Sequence, residues 1–172
     1  FRALASVTSG QSHVHVARLA VGAQTGTAVL TLARDADSSS ILPYARQAEV
    51  FPGTEPVGTE EVEVRRLDDA LPAAWPRPAL LKVDVQGTEL DVLRGATRTL
   101  QQVDEILIEV SYVELYAGQA LAEAVTDQIE RAGFVLAATY PAARDAEGAS
   151  IQADLLFVRR EDGSGSGGSA GR

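Results

Sequence analysis

The order of strand-like and helix-like segments in the second half of the chain restricts its fold more than any other feature. Short apolar runs typical of buried strands lie at 79–85 and 105–110, and a segment with helical spacing of apolar residues follows each. Two more strands are predicted at 134–140 and 153–158, joined by a polar loop. This order predicts an α/β domain with a mostly parallel sheet, in which the last strand runs antiparallel.

Both helices carry end signals. Thr88 is predicted to cap the first helix, with Asp91 in the capping position three residues on, and Gly95 to end or weaken it. The second helix has an apolar residue at every fourth position over 121–129, and Gly133 stands where it should end. We therefore expect two amphipathic helices packed against the sheet.

The first half of the chain predicts further strands. The β-branched runs at 14–21 and 27–32 are interpreted as a strand and its hairpin return. Alternating apolar and charged residues at 61–67 predict a half-exposed strand at a sheet edge. We expect residues 1–160 to form the domain, and 161–172 to be a flexible Gly/Ser-rich tail or linker.

The composition of the chain excludes several classes of binding partner. The net charge is −9, from 24 acidic and 15 basic residues without a basic cluster, so a nucleic-acid groove is not expected. No apolar run is long enough to cross a bilayer, so no membrane partner is expected. The chain has no cysteine, which excludes thiolate metal sites and fits a cytoplasmic location. His13 and His15 share a predicted strand face, but without nearby carboxylates we interpret them as structural, and no metal is expected.

The segment 81–89 is the most informative about chemistry. It places Asp84 near the carboxyl end of a predicted buried strand and then passes through Gly87 into a helix. Ligands of open α/β sheets bind outside the carboxyl ends of strands, so Asp84 is a candidate ligand contact; alternatively, it only receives hydrogen bonds from the turn that follows. Lys82 is the single lysine of the chain, and it reflects either codon bias or a need for a compact ammonium group.

The run Lys82-Val83-Asp84-Val85-Gln86-Gly87-Thr88-Glu89 resembles the Lys-x-Asp-x-x-Gly-x-Glu signature of FkbM-type methyltransferases. Further similar stretches follow the same order and extend the resemblance over nearly all of 14–159; they are 38–42, 64–69, 92–96, 109–116 and 153–157. The resemblance implies a Rossmann-like class I methyltransferase fold, in which the strand bearing Asp84 neighbours the first strand across the cofactor crevice. It also implies O-methylation of a hydroxyl on a small molecule or sugar, with S-adenosylmethionine as donor.

The sequence departs from this family at its beginning. The first strand with its glycine-rich turn and the acidic residue that ends the second strand are missing, and no Gly-x-Gly occurs before Gly87. We expect these two strands upstream of Phe1, so that this chain corresponds to the C-terminal portion of the domain. On that view the chain alone binds the cofactor poorly and is inactive.

Roles for individual residues follow from this resemblance. Methyl transfer depends on positioning, and an alcohol acceptor benefits from a base within hydrogen-bond reach. The candidates are Asp84, Gln86 and Gly87 for the cofactor, Asp84 and Glu109 for catalysis, and Tyr112 and Glu114 for the substrate. Glu109 is alternatively a solvent-facing strand end, and Glu89 is expected to favour the helix dipole.

Two other functions are alternatives to an active methyltransferase. The chain could be a non-catalytic methyltransferase-like binding module in a larger protein, which would not need the missing cofactor segments. A nicotinamide-dependent Rossmann oxidoreductase requires a Gly-x-Gly-x-x-Gly turn after a strand, which this chain lacks. The sequence leaves the acceptor and the oligomeric state open.

Overall fold

The structure, a computed structural model, describes residues 2–161, so the predicted tail lies outside the described residues except for Glu161. The strands are β1 (Ala20–Val21), β2 (Gly26–Ala33), β3 (Pro56–Arg65), β4 (Leu80–Val83), β5 (Glu105–Ser111), β6 (Phe134–Arg144) and β7 (Ser150–Arg159). The helices are α1 (Arg2–Val7), α2 (Gln47–Val50), α3 (Leu67–Ala70), α4 (Glu89–Arg94) and α5 (Ala122–Arg131), with 3₁₀ turns at Ala36–Ser38 and Thr99–Gln101. Within this part of the chain no helix has the length and apolar content required to cross a bilayer.

The strands form two sheets instead of the mostly parallel sheet that was predicted. One has the order β1-β3-β2, with β3 parallel to β1 and antiparallel to β2; the other has the order β4-β5-β7-β6. In the second sheet β4 and β5 are parallel, and β7 is antiparallel to both of its neighbours, as predicted for the last strand. The prediction of a mostly parallel sheet is wrong because β7 inserts between β5 and β6, which run in the same direction.

The first half of the chain differs most from its prediction. The strand expected at 14–21 is only Ala20–Val21, and it does not pair with β2. Instead β3 lies between them and pairs with both, so that Val64 is opposite Ala20 on one side and Gly26 on the other. The predicted hairpin between the two earlier strands is therefore wrong. The predicted edge position of 61–67 is wrong too, since β3 has a partner strand on each side.

The strand β4 was predicted to be buried and is an edge strand. Among residues 2–161 it pairs only with β5, so Leu80 is 56% exposed and Val83 is its one buried residue. The Lys82 side chain is half-exposed, and its ammonium lies 2.8 Å from Oδ2 of Asp84. Lys82 thus pairs with a carboxylate at the rim of the sheet without being buried.

The alternation of side chains along β5 places the site. Ile106, Ile108 and Val110 are buried in a core shared with α4 and α5. Burying each such side chain stabilises the fold by about 1.5–3 kcal/mol, and a slip of one residue would expose all three. The core therefore fixes the register of β5, and with it the orientation of Glu109 towards the opposite, less covered face.

Gly95 ends α4 as predicted, although the glycine is required for a different reason. Its φ of −81° is open to any residue, so no left-handed turn is involved. A Cβ at this position would lie 2.1 Å from the carbonyl oxygen of Gly22, which belongs to the loop after β1. Gly95 is therefore the point at which the two sheets' connecting segments touch backbone to backbone.

We expect Gly95→Ala to lower the free energy of unfolding by about 1–3 kcal/mol or more, because the new methyl group overlaps backbone that cannot rotate away. The measurement is urea unfolding followed by circular dichroism. Gly26→Ala is the control, since a Cβ there meets nothing within 4 Å. Equal stability of the two variants would contradict this assignment.

Candidate functional site

A cleft of about 730 Å³ lies at the carboxyl ends of β4 and β5. It brings together three of the predicted site residues: Asp84 and Gln86 after β4, and Glu109 on β5. The remaining lining residues come from the segment between β2 and β3, which includes α2, and from β7; they are Asp35, Asp37, Ser38, Gln47, Val50, Phe51, Pro52, Thr54 and Gln152. The position agrees with the rule that α/β sheets bind ligands at the ends of their strands.

The amide of Gln86 joins the two carboxyl groups of the cleft. Its Nε2 donates to Oδ1 of Asp84 at 3.0 Å and to Oε2 of Glu109 at 3.2 Å. The Gln152 amide donates to the same Oε2 at 2.8 Å. On its other side the Gln86 amide oxygen lies 3.0 Å from the hydroxyl of Tyr116, so the amide is held at both ends.

The backbone around Gln86 is constrained. Gln86 has a φ of +56°, a conformation that few residues other than glycine adopt, and its carbonyl accepts a hydrogen bond from Ser40 Oγ at 2.6 Å. Gly87 follows with a φ of +108°, and a Cβ there would lie 3.1 Å from the Tyr116 ring. The structure thus shows that Gly87 allows this turn to form. Its contact with a cofactor stays a prediction. Unusual backbone of this kind is common at functional sites.

The turn is held by Glu89 instead of by the predicted cap at Thr88. The Thr88 side chain makes no capping hydrogen bond. The buried Glu89 carboxylate accepts the backbone N–H groups of Gly87 at 3.1 Å and of Val85 at 3.4 Å. Its burial raises the pKa of Glu89, and these hydrogen bonds oppose the shift. Asp84 is therefore not the acceptor of the turn's N–H groups, and its partners are the side chains of Lys82 and Gln86.

Glu109 titrates near neutral pH. Burial raises its pKa to about 7, and the negative charges of Asp84, Glu89 and Asp154 act in the same direction, whereas the Lys82 ammonium opposes them. Asp154 lies directly opposite Glu109 on β7. Glu109 is thus partly buried and hydrogen-bonded, unlike a solvent-facing strand end.

The two predicted substrate residues do not line the cleft. The Tyr112 side chain is 42% exposed, and its backbone N–H donates to the carbonyl of Ile151. Oε1 of Glu114 accepts the backbone N–H of Gly118 at 2.7 Å, which closes a local turn. Their binding of a substrate stays a prediction. His13 and His15 belong to no group of three or more His, Cys, Asp or Glu arranged for a metal ion, and the described part of the chain contains none.

Sequence reasoning missed four residues that build the site, namely Ser40, Gln47, Tyr116 and Gln152. The Ser40–Gln86 and Gln152–Glu109 bonds join positions 46 and 43 residues apart. No local spacing indicates such contacts. The only signal was the resemblance to FkbM-type sequences at 38–42 and 109–116, and it assigned no role to Ser40 or Tyr116.

The pKa of Glu109 has a consequence for stability. Between the ordinary value of 4.5 and about 7 the folded chain binds more protons than the unfolded chain. Stability therefore falls as pH rises through this range, by about 1–2 kcal/mol once partial solvent exposure is allowed for. We expect Glu109→Gln to remove this part of the pH dependence, measured by urea unfolding from pH 4.5 to 8.

The matched control is Glu105→Gln, at the exposed start of the same strand and on the same face. We expect this variant to keep the pH dependence of the parent protein. An unchanged profile in Glu109→Gln would show that Glu109 does not titrate in this range.

Comparison with known proteins identifies related sequences. The sequence model described as "Methyltransferase FkbM domain" matches residues 6–136. A segment of 85 residues, 49% of this chain, is 40% identical to the 2-O-methyltransferase NoeI of Sinorhizobium fredii and covers 34% of that protein. A second segment of 35 residues, 20% of this chain, is 49% identical to the hexuronic acid methyltransferase AglP of Haloferax volcanii and covers 15% of it.

These matched segments span well under two thirds of either relative. No solved structure matches the chain. The family match covers most of the chain and includes Asp84, Gln86 and Glu109 of the cleft, whereas Gln152 lies beyond it. The chain therefore belongs to the FkbM methyltransferase domain family.

Proposed function

We propose that this protein is an S-adenosylmethionine-dependent O-methyltransferase that acts on a hydroxyl group of a sugar-like small molecule. The observation that carries the proposal is the Glu109 carboxyl, which two amides hold in a cleft and which has a pKa of about 7. Family membership supports methyl transfer, and the names of the two relatives support an oxygen acceptor on a sugar.

The residues at the end of β4 fit one side of the cofactor. S-adenosylmethionine carries a positively charged sulfonium, and the half-exposed Asp84 carboxylate provides a favourable negative charge. We assign Asp84, Gln86 and Gly87 to this side. When bound, the cofactor supplies an electrophilic methyl group. The unpaired edge of β4, within the part of the chain that the structure describes, is the place that the family resemblance gives to the first strand of the fold.

Glu109 is suited to receive the acceptor hydroxyl. Both amide donors bind its Oε2, and Oε1 has no hydrogen-bond partner among residues 2–161. An acceptor hydroxyl can donate to Oε1 and pass its proton there as its oxygen is methylated. A base with a pKa close to the working pH is ionised often enough to accept the proton and releases it to solvent afterwards. The two glutamine amides keep the carboxylate from rotating, which is the positioning that methyl transfer needs.

Activity provides the first test, with the natural full-length protein, methyl-labelled cofactor and a panel of sugars. We expect Glu109→Gln to lower kcat by about 10²–10⁴-fold, because the amide cannot take the proton. The parent rate should fall as pH is lowered through about 7, since protonation of Glu109 removes the base. Glu105→Gln is the control and keeps the parent rate. A Glu109→Gln variant with nearly full activity would contradict the role of Glu109.

Cofactor binding provides the second test, by calorimetry with S-adenosylmethionine. The 172-residue chain should bind weakly, and a chain extended by the glycine-rich first strand that the family resemblance implies should bind tightly. In that form Asp84→Asn is expected to weaken binding by about tenfold, because a charge next to the sulfonium is lost. Asp91→Asn, which neutralises an exposed carboxylate on α4 outside the cleft, is the control.

Two outcomes would change the assignment. Tight binding by the 172-residue chain would contradict the view that its residues supply only one side of the cofactor site. Cofactor or sugar binding without methyl transfer to any acceptor would favour the alternative, a non-catalytic binding module.

A further inference from the structure

The segment between β2 and β3 lines part of the cleft, and none of its residues takes part in the proposed methyl transfer. It supplies Asp35, Asp37 and Gln47 to the lining, together with the apolar surface of Phe51 and Pro52. A cleft with one reacting carboxyl group needs further groups that orient the substrate. The charge and hydrogen-bonding capacity of these groups indicate which class of ligand the cleft binds.

Gln47 is the most informative of them. It is only 3% exposed and is anchored by its backbone N–H, which donates to the Leu115 carbonyl at 3.1 Å. Its Nε2 donates to Ser38 Oγ at 3.4 Å, but its Oε1 has no hydrogen-bond partner within residues 2–161. A buried acceptor without a donor is unfavourable. Because Gln47 lines the cleft, a small rotation of its amide would bring Oε1 to the surface of the cleft, where a ligand hydroxyl or amino N–H relieves this cost.

The charges of the residues that line the cleft also favour a ligand that donates hydrogen bonds. Asp35 and Asp37 are exposed, and neither takes part in an ion pair with any described residue. With Asp84 and Glu109 they make four carboxyl groups around one cleft, and no arginine or lysine is among its lining residues. The cleft therefore offers many acceptors and few unused donors.

We propose that this cleft selects a sugar rich in hydrogen-bond donors and without a carboxylate, with an amino sugar preferred over a neutral one and a uronic acid rejected. Gln47 Oε1 accepts a hydroxyl or amino N–H of the ring, and Asp35 and Asp37 attract a positive and repel a negative substituent. Phe51 and Pro52 give the apolar C–H face of the ring a surface to pack on. The inference rests on the proposed function, because it names the substrate class of that same site.

This preference gives the chain a different substrate class from that of one of its relatives. AglP is named a hexuronic acid methyltransferase, and the segment it shares with this chain is 35 residues long. Specificity is a difference between affinities, and unpaired carboxylates in a pocket act against a carboxylated ligand more than for a neutral one. The relative's substrate is therefore not expected to transfer to this cleft.

The test measures direct binding, so that it does not depend on methyl transfer. The ligands are the methyl glycosides of glucosamine, glucose and glucuronic acid, of which the first and the last each differ from the glucoside in one substituent. Each is titrated into the full chain at low salt, and binding is followed by NMR. We expect the amino sugar to bind tightest and the glucuronide at least about tenfold more weakly than the neutral glycoside. The double variant Asp35→Asn/Asp37→Asn should narrow this gap by about threefold to tenfold in total.

The control is Asp91→Asn/Asp127→Asn, which makes the same change in net charge at two exposed helix positions outside the cleft. It should leave the order and spacing of the three affinities unchanged. Gln47→Leu should weaken the amino and neutral sugars together, because both lose the same acceptor. The exposed aspartates keep the test decisive if the buried Gln47 variant does not fold.

The outcomes are distinguishable from those of the proposed function. Glucuronide binding as tight as glucoside binding, an equal effect of the control double variant, or no binding of any sugar would overturn the inference. Methyl transfer to uronic acids at the same efficiency would overturn it too, while the proposed function would stand. If the order of affinities holds but no sugar is methylated, the proposed function fails and the inference about ligand class is supported.

Discussion

The site depends on how one carboxylate holds the turn after β4. Glu89 accepts the N–H groups of Val85 and Gly87, and this fixes the residue between them, Gln86, in a left-handed conformation. From there the Gln86 side chain reaches back across the ends of two strands to both Asp84 and Glu109. The left-handed turn and the amide bridge therefore form one connected arrangement, from the Glu89 carboxylate to the two acids of the cleft.

The bridge makes it possible for the two acids to share one cleft. Two carboxylates at neighbouring strand ends repel each other, and the repulsion and burial together raise the pKa of Glu109. The Gln86 amide donates to both and so lowers the cost of keeping them close. Lys82 pairs with Asp84, whereas Glu109 is held by the amides of Gln86 and Gln152. The two acids therefore have different partners although they share one cleft.

Sequence patterns predicted those parts of the fold whose causes are local. The strand β5 was predicted from its apolar run, the end of α5 from Gly133, and the antiparallel β7 from the lack of a helix between the last two strands. The order β1-β3-β2 was not, since pairing partners across tens of residues leave no periodic signal. The same reason explains the site: Asp84 and Glu109 end adjacent strands and were predicted, whereas Gln152 and Gln47 reach the cleft only through tertiary packing.

The single lysine illustrates how the edge of a sheet and a site can share residues. An ion pair as exposed as Lys82–Asp84 contributes at most about 1 kcal/mol to stability, so stability alone gives little reason for it. Charged residues on the unpaired edge strand β4 do discourage contact with other strands. At the same time the ammonium lowers the pKa of Glu109 against three nearby acids, and a compact ammonium does so without the width of a guanidinium fork. Lys82 thus contributes both to the protection of the sheet edge and to the charge balance of the site.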